Sequence, residues 1–328
     1  MASSGKEIAS ELLPLIRVYK DGTVERLMGS PYVSPSLHDP EYGVCSKDIT
    51  ISHNPKISAR LFCPQTLNQH VPNQKLPVLV YFHGGGFCFE SAFSSDHHRF
   101  LNRLVSKAQV VAISVEYRLA PEVPLPFCYQ DCWAALQWVA SHIENEERVS
   151  AINKEPWLAS YGDFDRVYIG GDSTGGNIVH NIAMKAGTES LSVKIVGAFM
   201  SHPYLLSSKP LALEPKGEEF EKYLPCLVWG FLNPSAPGGL DNPMVNPVGL
   251  GAPSMAGLGC SKLLVCLSSN DELRPRGVWY YNLVMESGWK GEVELFEVEG
   301  EGHAFQIFSV AETHNVKKII NKLASFLV

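Results

Sequence analysis

From Pro77 onward the chain alternates short, continuously apolar runs with stretches in which apolar residues recur every three or four positions. This order restricts the fold more than any other feature of the 328 residues. Apolar runs of strand length, without polar alternation, belong to strands covered on both faces, and helices between them make the connections of a mostly parallel sheet. The strands are expected at 78–82, 110–115, 167–170, 195–200, 263–267 and 293–298. The helices are expected at 98–106, 128–141, 176–186, 277–287 and 311–326. Ahead of them, two alternating runs flank Asp21-Gly22, a pair that favours a tight turn, so 15–27 reads as a hairpin. Further strands are expected at 47–52 and 58–63.

Two segments break the repeat: residues 1–40, and residues 203–250, where prolines surround a helical stretch over 218–231. Both are expected to form a cap over one α/β domain that spans residues 1–328. A formal charge of −7 leaves no basic excess for nucleic-acid phosphates or an anionic membrane. The start of the chain lacks a secretory signal, and no apolar stretch is long enough to span a bilayer, so a cytoplasmic location is expected. The eight cysteines are scattered, several within apolar runs, which fits reduced packing residues better than a disulfide framework. Cys128 and Cys132 stand at helical spacing but have no further ligands nearby, so no metal site is expected.

The chemistry centres on Gly171-Asp172-Ser173-Thr174-Gly175, which lies where an apolar strand ends and a helix begins. A serine there occupies a tight turn, beside helix N–H groups and a positive dipole end that favour a developing oxyanion. His83-Gly84-Gly85-Gly86 follows the strand at 78–82, and its glycines let backbone N–H groups turn toward a ligand. The N–H groups of Gly84, Gly85 and Thr174 are therefore expected to form an oxyanion hole, with His83 in a structural role. Downstream, the loop after 263–267 holds Asp271, with Glu272 as the competing acid, and the loop after 293–298 holds His303. A serine hydroxyl is a poor nucleophile near neutral pH unless a base takes its proton. His303 is expected as that base, with Asp271 fixing its tautomer. His97-His98 reads as an ordinary helix start, and His314 as solvent-facing on the last helix. Trp229 and Phe231, with Tyr223 and Leu227, either line a substrate pocket or fasten the cap.

The sequence resembles the plant carboxylesterases of the hormone-sensitive-lipase-like group over most of its length. The marks are His83-Gly84-Gly85-Gly86-Phe87, the run 116–122 (EYRLAPE), the elbow over 170–177, Asp241-Asn242-Pro243-Met244 and Gly302-His303-Ala304-Phe305. The resemblance implies an α/β-hydrolase fold, a triad of Ser173, Asp271 and His303, and esterase activity on a small-molecule ester without a cofactor. The same group includes hydroxyisoflavanone dehydratases, which typically carry threonine at the nucleophile position, and gibberellin receptors, which lack the histidine. This chain keeps Ser173 and His303. Thr174 stands where many esterases have alanine, as in the related alkaloid cyclases, and Pro275 stands where the group often repeats an aspartate. The readings from sequence are an esterase, a lyase or cyclase of specialised metabolism using the same pocket, and a small-molecule receptor.

Overall fold

The computed structural model describes residues 6–65, 75–143 and 154–328. Residues 1–5 of the expected first cap segment lie outside these ranges. The chain opens with a three-stranded antiparallel sheet of β1 (Ile8–Leu12), β2 (Ile16–Tyr19) and β3 (Val24–Arg26). The hairpin turn forms at Asp21-Gly22, with Gly22 at φ +84° and Asp21 Oδ1 accepting the Thr23 N–H at 2.9 Å. β1 was not expected from the sequence, because most of its side chains are exposed and carry no periodic apolar signal.

An eight-stranded sheet follows, assembled from β4 (Val44–His53), β5 (Lys56–Pro64), β6 (Leu76–Phe82), β7 (Val111–Glu116), β8 (Gly162–Asp172), β9 (Ile195–Ser201), β10 (Cys260–Ser268) and β11 (Glu292–Val298). Its order is β11-β10-β9-β8-β6-β7-β5-β4, with β4 and β5 antiparallel and the six later strands parallel. Alternate side chains serve two cores: Val78, Val80 and Phe82 enter one, Leu79 and Tyr81 the other.

The helices in chain order are α1 (Ser95–Ala108), α2 (Phe127–Ala140), α3 (Pro156–Tyr161), α4 (Thr174–Ala186), α5 (Glu218–Glu221), α6 (Leu224–Leu232), α7 (Arg274–Glu286), α8 (Phe305–Phe308) and α9 (His314–Phe326). Buried residues of α1 and α9 pack on one face of the sheet, and those of α2, α4 and α7 on the other. The stretch 218–231, expected as one helix, is broken into α5 and α6, with Pro225 in the first turn of α6. A proline is tolerated there, whereas in a helix interior it removes a hydrogen bond and clashes with the preceding turn. α9 starts at His314 rather than 311 because the Thr313 side chain caps it, accepting the Val316 N–H at 3.2 Å.

The topology fixes where a site belongs. The chain leaves β6 toward β7 on one side and leaves β8 toward β9 on the other, so the strand order reverses between β6 and β8. In open α/β sheets a crevice for ligands forms at such a reversal, outside the carboxyl ends of the strands.

Candidate active site

Ser173 ends β8 and begins α4 at φ +52°, ψ −117°, a left-handed backbone that non-glycine residues adopt at a cost of about 1–3 kcal/mol. The turn holds because its flanks are glycine: a Cβ on Gly175 would stand 2.0 Å from the Phe82 carbonyl oxygen. The Ser173 N–H donates to Ser201 O at 2.8 Å, and the Tyr204 N–H donates to Ser173 O at 2.9 Å. Left-handed non-glycine residues also occur at Phe87, Glu90, His202 and Ala304, in the loops after β6, β9 and β11. Apart from Gln109, which caps the end of α1, the left-handed non-glycine residues among those described thus gather at the same end of the sheet as Ser173.

The structure brings Ser173, His303 and Asp271 together. His303 Nε2 lies 2.9 Å from Ser173 Oγ, and His303 Nδ1 lies 2.9 Å from Asp271 Oδ1. The same carboxylate oxygen accepts the Leu273 N–H at 2.9 Å. Glu272 is exposed, and its carbonyl accepts the Tyr223 hydroxyl at 2.7 Å, so the competing acid serves to tie the segment before α6 to this loop. The loop carrying His303 is stitched to the loop after β10: Asn270 N–H donates to Glu301 O at 3.0 Å and Gly300 N–H to Ser269 Oγ at 2.8 Å.

Burial raises the Asp271 carboxyl, but the His303 ring and the Leu273 N–H outweigh it and hold the group below the usual carboxylate range. For His303, burial pulls downward, and the bond to Asp271 with its charge lifts the ring above the ordinary imidazole value. A base must be neutral to accept a proton, so any turnover that uses His303 as its base should lose kcat/KM as pH drops, with the half-point above the free-imidazole value of about 6.5. A pH profile of kcat/KM whose acid limb lies at or below that value would contradict this coupling.

The glycine loop departs from expectation at one donor. The Gly84 N–H is already used, donating to Asp172 Oδ1 at 3.0 Å, because the loop folds back on the elbow. The N–H groups of Gly85, Gly86 and Thr174 donate to no acceptor among the described residues. Gly85 sits at φ +104°, and a Cβ there would stand 2.1 Å from Phe89 O, so only glycine fits. The Thr174 side chain is buried, and its hydroxyl accepts the Phe87 N–H at 3.4 Å, bracing the loop against the elbow.

Behind the elbow lies a buried polar group not foreseen from the sequence. Asp172 Oδ1 also accepts the Tyr81 hydroxyl at 2.5 Å and faces His97 Nε2 at 3.2 Å, while His97 Nδ1 faces Glu90 Oε2 at 3.4 Å. Burial would keep His97 neutral, but two carboxylates outweigh it and push the ring up to about 10. His97 thus begins a helix as expected, yet its side chain points inward. His83 has the structural role expected of it: it stacks on Tyr117 at 4.2 Å, its Nδ1 lies 2.7 Å from Gly84 O, and burial holds it down to about 4. Among the described residues no cluster of three potential metal ligands occurs. All eight cysteines are free, and seven are buried.

Residues 203–250 are anchored beside the site. Asn177 of α4 donates to Met244 O at 2.7 Å, and the buried Arg276 makes two 2.6 Å bonds to Glu214. Trp229 is buried, and its indole N–H donates to Gly239 O at 2.9 Å, tying α6 to the turn at 238–241. Trp229 and Phe231 line a cavity of about 590 Å³ with Leu12, Leu227 and Leu240, and neither Ser173 nor His303 belongs to its wall.

Residues 79–307 match a family model described as the alpha/beta hydrolase fold. The chain is 54% identical to 2-hydroxyisoflavanone dehydratase of Glycyrrhiza echinata, across 99% of this chain and 98% of that protein. It is 48% identical to hydrolase 3 of Catharanthus roseus over the full length of both. Among solved structures, an esterase of Pyrobaculum calidifontis superposes with a TM-score of 0.67 at 26% identity, covering 86% of this chain and 84% of that one. No helix among the described residues is long and apolar enough to cross a membrane.

Proposed function

The chain belongs to the alpha/beta hydrolase fold family, and on that premise we propose that it is a carboxylesterase acting on small or medium carboxylic esters. The observation that carries this reading is the 2.9 Å contact between Ser173 Oγ and His303 Nε2, with Asp271 on the opposite ring nitrogen. In the proposed mechanism Ser173 Oγ attacks the ester carbonyl while His303 takes its proton, and Asp271 stabilises the imidazolium. The oxyanion forms against the N–H groups of Gly85, Gly86 and Thr174, a set in which Gly86 takes the place of Gly84. His303 then protonates the leaving alcohol. Water activated by the same ring releases the acid and restores the serine. Residues 6–40 and 203–250 serve as the cap that decides which acyl and alcohol groups enter. The free thiols support a reducing compartment, in keeping with the cytoplasm.

Elimination is the second reading, favoured by the 54% identity to a dehydratase. There His303 would remove a proton next to a carbonyl, and the same N–H groups would hold the enolate. A ligand receptor has no use for a base bonded to an elbow serine, so that contact weighs against it. The purified protein should turn over p-nitrophenyl acetate and its short- and medium-chain homologues. Conversion of a β-hydroxy ketone to its enone, with no ester turnover, would overturn the esterase reading in favour of elimination.

A further inference from the structure

The turn after β9 touches both halves of the catalytic pair. Ser201 O and the Tyr204 N–H grip the peptide of Ser173 from either side, at 2.8 and 2.9 Å. Between them stands His202, fully buried and at φ +51°, with its own N–H on Cys266 O at 2.8 Å. Its side chain reaches the other way. His202 Nε2 lies 3.0 Å from Ser268 Oγ, and that hydroxyl donates at 2.8 Å to the carbonyl of Gly302, the residue before His303. The Gly302 carbonyl can only accept, so the single hydroxyl proton of Ser268 is committed to it, and His202 Nε2 must be the donor to Ser268 Oγ. His202 Nδ1, left as the bare nitrogen, has no partner among the described residues. The ring also stands edge-on to His303, with centroids 5.7 Å apart at 74°. Burial, and then the His303 charge, hold His202 down to about 4, so it stays uncharged beside an imidazolium on His303.

From this geometry we propose that His202 is a positioning residue: through Ser268 it fastens the loop carrying His303 to the turn that grips Ser173, and so sets the approach of base to nucleophile. The proposal rests on the reading of His303 as the general base of Ser173. No proton passes along this relay. Glycine would relax the backbone at this position, but it would leave Ser268 without its donor and Gly302 with a looser partner.

The atom that matters is the Nε2–H donor, and two variants separate it from mere bulk. Glutamine places an amide N–H near the Nε2 position, whereas asparagine reaches only as far as Nδ1. On p-nitrophenyl acetate, His202→Gln should keep kcat within about 5-fold of wild type, while His202→Asn loses about 10- to 100-fold in kcat at nearly unchanged KM, the scale of an ångström-sized misplacement. Ser268→Ala should match His202→Asn, and the double variant should fall no lower than either single one, because both cut one relay. If His202→Asn does not fold, Ser268→Ala reads the same connection with a smaller change. Equal losses for glutamine and asparagine, a loss confined to KM, or additive losses in the double variant would overturn the positioning role. Ser173→Ala in the same assay separates the two levels. Turnover that depends on Ser173, with His202→Asn at wild-type kcat, overturns the relay alone. Turnover indifferent to Ser173 overturns the base–nucleophile reading and the relay with it.

Discussion

Ser173→Ala, His303→Ala and the double variant should all lose at least ~10³-fold in turnover of p-nitrophenyl acetate and settle at one shared residual rate. The reason is that the serine and the imidazole act as one unit. Without His303 the hydroxyl keeps its proton, and without Ser173 the base has no nucleophile to activate, so the second deletion removes nothing the first had left. What survives is the polarisation of the carbonyl by the N–H groups of the glycine loop and the elbow. Elimination makes a different forecast. It needs the base and the oxyanion donors but no acyl-enzyme, so His303→Ala would abolish conversion while Ser173→Ala retained much of it. Circular dichroism establishes that each variant is folded before rates are compared. Strongly unequal losses for the two single variants on the best substrate would count against ester hydrolysis.

The acid should show an effect nearly as large. Asp271→Asn is expected to lower kcat by about 10⁴-fold, because an amide facing His303 Nδ1 favours the tautomer that leaves no free lone pair at Nε2. Asp271 is buried, and its Oδ1 carries both the His303 ring and the Leu273 N–H, so the change also disturbs a satisfied buried bond. Glu272→Gln should stay within a few-fold of wild type, since that side chain is exposed and acts on His303 through its charge alone, while its backbone carbonyl holds Tyr223. Steady-state kinetics of the two variants decide the matter. A larger loss for Glu272→Gln would assign the acid to Glu272.

Much of this site was legible because its parts sit at strand ends, and parallel strands announce themselves. The runs at 78–82, 167–170 and 263–267 are buried on both faces, so their apolar signal is continuous, while the edge strand at 293–298 is only partly buried and still ends in a loop that is easy to find. Ser173, Asp271 and His303 then follow from chain order and chemistry. What escaped depends on sheet order, which local pattern does not encode. Glu90 in the loop after β6 and His97 in the first turn of α1 meet Asp172 at the end of β8 only because β8 lies beside β6. The engagement of the Gly84 N–H by Asp172 has the same origin, since no feature of four consecutive residues says which N–H turns inward. His202 looked like any residue of a turn after a strand. Its meaning comes from Ser268 and Gly302, which lie 66 and 100 positions further along the chain. The break between α5 and α6 was legible in principle, because Pro225 forbids a continuous helix through 218–231.

The central claim is that Ser173 is an activated nucleophile, and covalent capture tests it most directly. A fluorophosphonate reacts at a serine oxygen only where a base removes the proton and donors receive the phosphoryl oxygen. Intact mass spectrometry of the folded protein after incubation with such a probe should show one adduct per chain. Peptide mapping should place it on Ser173, and Ser173→Ala should show none. A folded wild-type chain that stays unmodified, or one modified at another residue while Ser173 remains free, would contradict the account.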